Sequence, residues 1–189
     1  MKKTTHDAHL VETTVASTDV FKGKLLHVKR DTVRLPDGNE TVREYIAHPG
    51  AVMVIPRLPD GKLLLERQYR YPHARVFIEF PAGKIDPGEE PLATAKRELA
   101  EETGYTAAQW THLAQLHPLI TYSTERIEIY VADELTHVGA RLDHGEFVET
   151  FSASLDEALS WLDRGEITDA KTMIGLLLLE REDERLPRR

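Results

Sequence analysis

Cysteine is absent from all 189 residues, which excludes disulfides, thiolate zinc sites and a thiol nucleophile. Long apolar runs are missing as well. Aliphatic stretches such as Leu176 to Leu179 fall far short of the roughly 20 residues that span a bilayer. The opening MKKTTHDAHLVETT lacks the apolar centre of a secretory leader, so a soluble, cytoplasmic protein is expected. Excess basic charge is absent too: the formal net charge is −8, which argues against a nucleic-acid-binding surface. The nine histidines show no metal-ligand spacing. What remains is a chain long enough for one domain with a modest extension.

The most informative stretch runs from Gly83 to Tyr105, GKIDPGEEPLATAKRELAEETGY. Its first six residues are rich in turn formers. Pro91 suits the first position of a helix, where a missing N–H costs nothing. Leu92 to Thr103 are good helix formers, and Gly104 is placed to end the helix. On such a helix Glu98, Glu101 and Glu102 stand at i, i+3 and i+4 and share one face. Two carboxylates about 5 Å apart repel by roughly 3 kcal/mol at an effective dielectric of 20. A solvated acidic face is one reading of that cost. A bound hard cation such as Mg²⁺, which takes carboxylate oxygens and substrate phosphates, is the other.

Gly83, Glu89, Arg97, Glu98, Leu99, Glu101, Glu102 and Gly104, with Tyr105 in the last apolar place, reproduce the pattern G-x5-E-x7-R-E-U-x-E-E-x-G-U, where U is apolar. Seven fixed identities, at about the 7% usage of glycine each, coincide on the order of once in 10⁸ registers. The stretch resembles the Nudix box, and the chain resembles a Nudix hydrolase of the subfamily that cleaves ADP-ribose and other nucleoside diphosphate sugars. The resemblance implies an α/β/α sandwich with a mixed sheet, preceded by a small N-terminal antiparallel β unit. It also implies Mg²⁺, or Mn²⁺, held by Glu98, Glu101, Glu102 and the backbone carbonyl of Ala82. In such enzymes the box arginine, here Arg97, holds the loop, with Glu89 as its obvious partner.

Taken in order, residues 1 to about 18 read as a polar, Thr-rich tail. Asp31 to Leu35 and Thr41 to Ala47 alternate as strands around the turn Pro36-Asp37-Gly38-Asn39. This gives a division at residues 1–48, tail and β-meander, and 49–189, hydrolase domain. A meander of that size buries little by itself, and the resemblance implies that it makes a homodimer. Ala51 to Pro56 and Lys62 to Arg70 read as a hairpin whose first, nearly all-apolar strand is central. The second ends in Arg67-Gln68-Tyr69-Arg70-Tyr71. Arg70 and Arg67 are candidates to grip a diphosphate, as is Arg43 from the meander. Ordinary surface arginines are the alternative. Val76 to Phe80 delivers Pro81-Ala82-Gly83 to the box, with Glu79 either touching substrate or paired inward.

After the box, strands at Trp110 to Leu116 and Arg126 to Ala132 flank the loop His117 to Glu125. Ser123 and Glu125 fit the subfamily, but Ile120 stands where ADP-ribose pyrophosphatases carry a diagnostic proline. Gly145-Glu146-Phe147-Val148-Glu149 matches relatives in which a loop glutamate is the general base, here Glu146; a charged turn before the strand Phe147 to Ala153 is the alternative. Ser154-x-x-Glu157 is a capping box for a helix through Trp161, and Asp169 to Arg181 forms a second, with Met173, Ile174, Leu177 and Leu178 facing the sheet. The implied activity is cleavage of ADP-ribose to AMP and ribose 5-phosphate, with Glu102 and Glu146 as catalytic residues. Hydrolysis of GDP-mannose or another sugar nucleotide is the rival within the class. A non-catalytic nucleotide sensor is the rival outside it, disfavoured by an intact box.

Overall fold

The computed structural model describes residues 5–139, 142, 145 and 147–185. Its contacts fall into two units: Met1–Pro49 with Leu119–Glu125, and Gly50–Pro118 with Arg126–Arg189.

The first unit is an antiparallel sheet of β1 (Thr13–Lys22), β2 (His27–Arg34) and β3 (Glu40–Ile46), in that order. The Pro36–Asn39 turn forms as expected, with Gly38 N donating to Leu35 O at 3.0 Å and Leu35 N to Asn39 O at 2.8 Å. The expected tail is corrected, because β1 begins at Thr13 and pairs with β2 as far as Lys22. All ten of its residues are exposed, so no alternation of apolar and polar residues marks it. Its β-branched content and the backbone ladder hold it instead. At the other edge the end of β3 meets the 119–125 segment, where Ile46 N donates to Tyr122 O at 2.9 Å and Thr124 N to Ile46 O at 3.0 Å.

The second unit is built on β4 (Ala51–Pro56), every residue of which is buried. It lies inside a mixed sheet of order β7-β4-β9-β8, where β7 is Ala82–Lys84, β8 is Tyr105–Leu116 and β9 is Ile127–His137. β4 runs parallel to β9, and the other pairings are antiparallel. Its side chains alternate between two cores. Val52 and Val54 pack with Ala95, Leu99 and Tyr130, on the side of helix α1 (Pro91–Glu98). Met53 and Ile55 pack with Leu65, Phe80, Leu176 and Leu179 on the other. Each such side chain contributes about 1.5–3 kcal/mol on full burial, so a strand buried on both faces fixes the register of everything around it.

A second sheet, of order β10-β5-β6, comprises β5 (Leu63–Arg70), β6 (Arg75–Glu79) and β10 (Val148–Ala153). The expected hairpin of β4 and β5 is therefore corrected. The turn between them closes, with Gly61 N donating to Leu58 O at 2.8 Å, and the single bridge Arg57–Leu63 joins them. Beyond it the strands part into different sheets. Helix α2 (Leu155–Asp163) carries the expected capping box of Ser154 and Glu157. Helix α3 (Ala170–Arg185) packs Met173 and Ile174 against the core as expected, but it also turns Leu176 and Leu179 inward and leaves Leu177 exposed, which corrects that part of the expected face. No helix among the described residues is long and apolar enough to cross a membrane.

Candidate active site

The conspicuous helix behaves as its sequence requires at both ends. Pro91 occupies its first turn, and Gly104 ends it at φ 73°, a conformation that glycine adopts without strain. Between them the winding changes. The α-helix stops at Glu98, and Leu99–Thr103 forms a π-helical turn, a local widening that recurs at functional sites. The single α-helix expected to Thr103 is corrected accordingly. The turn is tied by a Thr103 Oγ1 bond to Leu99 O, and it carries Glu101 and Glu102.

Arg97 organises the carboxylates. Its Nε and Nη2 donate to Glu89 at 3.1 and 3.0 Å, and its Nη1 donates to Glu98 at 2.8 Å and Glu101 at 3.0 Å. The loop bond to Glu89 is the expected one; the grip on Glu98 and Glu101 is new. The bond to Glu101 was foreseeable, because residues four apart share a helix face; the bond to Glu98, the adjacent residue, was not. The Arg97 guanidinium, helped by the Thr94 hydroxyl at 2.8 Å, holds the Glu89 carboxyl at about 2. The same bonds push Arg97 up.

Glu102 is buried, and its Oε2 accepts from Ala82 N at 3.0 Å. That bond fixes the backbone residue whose carbonyl is a candidate metal ligand. Gly83 makes room for its neighbour: a Cβ built there would lie 1.9 Å from Glu98 Oε1. The Glu98 carboxylate thus fills the hollow that the glycine's missing side chain leaves. Among the described residues, no three Asp, Glu or His side chains stand together as a ready ligand set. The donor chemistry nonetheless fits a hard divalent cation. Glu98 seats against Gly83 and Glu102 bonds Ala82 N, so two carboxylates lie beside the Ala82–Gly83 backbone, and hard oxygen donors are what Mg²⁺ takes.

The second sheet brings charge toward this region. Arg70, at the end of β5, donates from Nε and Nη2 to the two oxygens of Glu79 at 2.7 and 2.8 Å. Lys171 of α3 bonds the same carboxylate. Burial pushes the Glu79 carboxyl up, but Arg70 and Lys171 outweigh it and bring it below the ordinary value. Glu79 is 2% exposed, so its carboxylate faces the two cations and not solvent. Glu66 is also buried, directly across the strand pair from Glu79. Sequence reasoning passed it over, although strand alternation places it on the face of Arg70.

Arg67 and Arg43 each pair with a carboxylate. Arg67 lies on the opposite face of β5 from Arg70, 3.5 Å from Glu149 and with its guanidinium carbon 4.9 Å from the centre of the Phe151 ring. Arg43 belongs to the first unit and donates to Glu12 from Nε at 3.0 Å and Nη2 at 2.6 Å. Glu146 lies outside the described residues.

Comparison with known proteins finds matches over most of the chain. Residues 47–178 match the family model for the NUDIX domain, and residues 12–46 match that for the nucleoside diphosphate sugar hydrolase N-terminal domain. The chain is 38% identical over 173 residues to an ADP-ribose pyrophosphatase of Bacillus subtilis (strain 168), covering 90% of this chain and 94% of that one. It is also 38% identical over 174 residues to a methanol dehydrogenase activator of Bacillus methanolicus, covering 91% and 94%. A crystal structure of an ADP compounds hydrolase superposes with a TM-score of 0.84 at 26% identity, covering 95% of this chain and 98% of that one.

Proposed function

Since this chain belongs to the Nudix hydrolases, we propose that it hydrolyses the pyrophosphate bond of ADP-ribose, giving AMP and ribose 5-phosphate, with Mg²⁺. The arrangement that supports this reading is the box itself: Glu98 seated against Gly83, and Glu102 bonded to Ala82 N. Glu98, Glu101, Glu102 and the Ala82 carbonyl would hold the cations. When bound, these supply charge neutralisation on the phosphates and a lowered pKa for the attacking water.

The protein's own groups do the rest. Arg70 grips the diphosphate through the edge of its guanidinium that Glu79 does not use. Glu146 takes a proton from water as its oxygen forms a bond to one phosphorus. The bond from that phosphorus to the bridging oxygen breaks, and the oxygen leaves with the other phosphate. ADP-ribose leads because the subfamily's N-terminal domain is present and the similar Bacillus subtilis protein bears that name. The test is a Mg²⁺-dependent assay over ADP-ribose, GDP-mannose, UDP-glucose, NADH and diadenosine polyphosphates. AMP and ribose 5-phosphate from ADP-ribose, abolished by chelation, is the expected result. Preference for another member would reassign the substrate, and tight binding without turnover would favour a sensor.

The proposal extends to assembly in the cytoplasm as a homodimer. Val15, Val20 and Phe21 of β1 and the neighbouring Leu25 are 46–66% exposed, an apolar surface that a second copy would cover. Light scattering at micromolar concentration should give twice the 21.5 kDa chain mass. A monomer would refute it.

A further inference from the structure

Lys171 lies on the first turn of α3, outside the box, with only 13% of its side chain exposed. A buried ammonium persists where it is paired, and this one is paired twice. Its Nζ bonds Glu79 Oε2, and donates to Asp169 Oδ2 at 3.0 Å. Asp169 Oδ2 is shared, since it also accepts from Thr172 N at 3.0 Å and Thr172 Oγ1 at 2.7 Å. The fully buried Thr172 hydroxyl in turn accepts from Phe80 N at 3.1 Å. The start of α3 is therefore bonded to two successive residues, Glu79 and Phe80, of the segment that leads into Ala82 and Gly83. Little freedom is left to the lysine.

Glu79 consequently divides one negative charge between two cations. A guanidinium held bidentate by a carboxylate of its own is largely neutralised and makes a weak anion grip. The second cation changes the balance. Lys171 is itself shared with Asp169, so Arg70, Glu79, Lys171 and Asp169 together are formally neutral, and Arg70, 39% exposed on its side chain, is the member that solvent reaches most. The Glu79 carboxylate uses Nε and Nη2, and among the described residues Nη1 makes no hydrogen bond.

We infer that Lys171 is a positioning residue for diphosphate recognition: by holding Glu79 from the inner side, it leaves Arg70 with charge and donors for the phosphates of the substrate. This rests on the reading of Arg70 as the diphosphate grip. It requires Lys171 to act through Glu79, which separates it from a lysine that only stabilises the fold.

Steady-state kinetics on ADP-ribose with Mg²⁺ test the point in a double-mutant cycle. Lys171→Met should raise KM about tenfold with kcat within about threefold of wild type, the pattern of lost binding common to ground and transition states. Lys171→Arg, which keeps the charge, should restore KM to within about threefold. In a Glu79→Gln background, Lys171→Met should change KM by less than about twofold. The same tenfold penalty in both backgrounds, or a loss confined to kcat, would overturn the inference. Should Lys171→Met fail to fold, the double variant removes both charges of the pair and is compared with Glu79→Gln alone, under the same twofold and tenfold criteria. If wild type hydrolyses no nucleotide sugar, the functional reading has failed on its own. Titration with inorganic pyrophosphate at fixed Mg²⁺ then decides, with binding about tenfold weaker to Lys171→Met expected. Equal binding, or none to wild type, would overturn the role of Lys171.

Discussion

Glu102→Gln should lower kcat by about 10²–10³, the usual cost of deleting one group that stabilises charge in the transition state, and raise the Mg²⁺ concentration needed for half-maximal rate. The structure makes this substitution informative. Glu102 Oε2 accepts from Ala82 N at 3.0 Å, and a glutamine oxygen can accept the same bond. The π-helical turn and the Ala82 backbone should stay in place, and the thermal midpoint should move little. What is removed is one negative charge from a 6% exposed position, where attraction for a cation is poorly screened. A rate within about fivefold of wild type at all Mg²⁺ concentrations would exclude Glu102 from the metal site. Loss of both rate and fold would show that its charge is needed for structure first.

The box could be read from the sequence because its chemistry is local. Pro91, Gly104 and the Arg97–Glu89 bond all depend on residues within about one box length of each other, and each stands where the spacing put it. The π-helical turn could not be read, since Leu99 to Thr103 would serve equally well in an α-helix. What selects the wider turn is the surrounding packing, with Leu99 in the core and Glu102 on Ala82.

The fold shows the same division between local and long-range causes. The reversal between β4 and β5 was legible as a hairpin, but the parting of the two strands was not. It depends on partners far along the chain, β9 for one strand and β10 for the other. β1 escaped notice for a different reason. A strand exposed on both faces leaves no alternation to find. By contrast, the separation of Arg67 from Arg70 follows from strand parity alone. Three residues apart on one strand, they face opposite ways, so they cannot form one clamp on that strand. The pairing of Lys171 with Glu79 joins positions 92 apart in sequence, and only the fold reveals it.

Glu146→Gln should leave substrate affinity and most metal affinity in place while removing the proton acceptor. Loss of a general base costs about 10²–10⁴ in rate, or roughly 3–5 kcal/mol of barrier. The assignment rests on Gly145-Glu146-Phe147-Val148-Glu149, with a glycine before the glutamate, as suits a loop that carries a carboxylate to and from a site. Glu149 is the control. It sits on β10 with its side chain 69% exposed and 3.5 Å from Arg67, on the sheet face away from Arg70, since it pairs across the strands with Arg67. Its replacement should weaken one exposed ion pair, worth about 0.2–1 kcal/mol at most, and leave kcat unchanged within about twofold. Both variants are to be measured at saturating Mg²⁺ and ADP-ribose. The pH profile adds a signature that a structural role would not move: the rate limb that reports the base should vanish in Glu146→Gln and persist in Glu149→Gln. A fall of less than tenfold for the first, or a larger fall for the second, would transfer the role of base to another carboxylate.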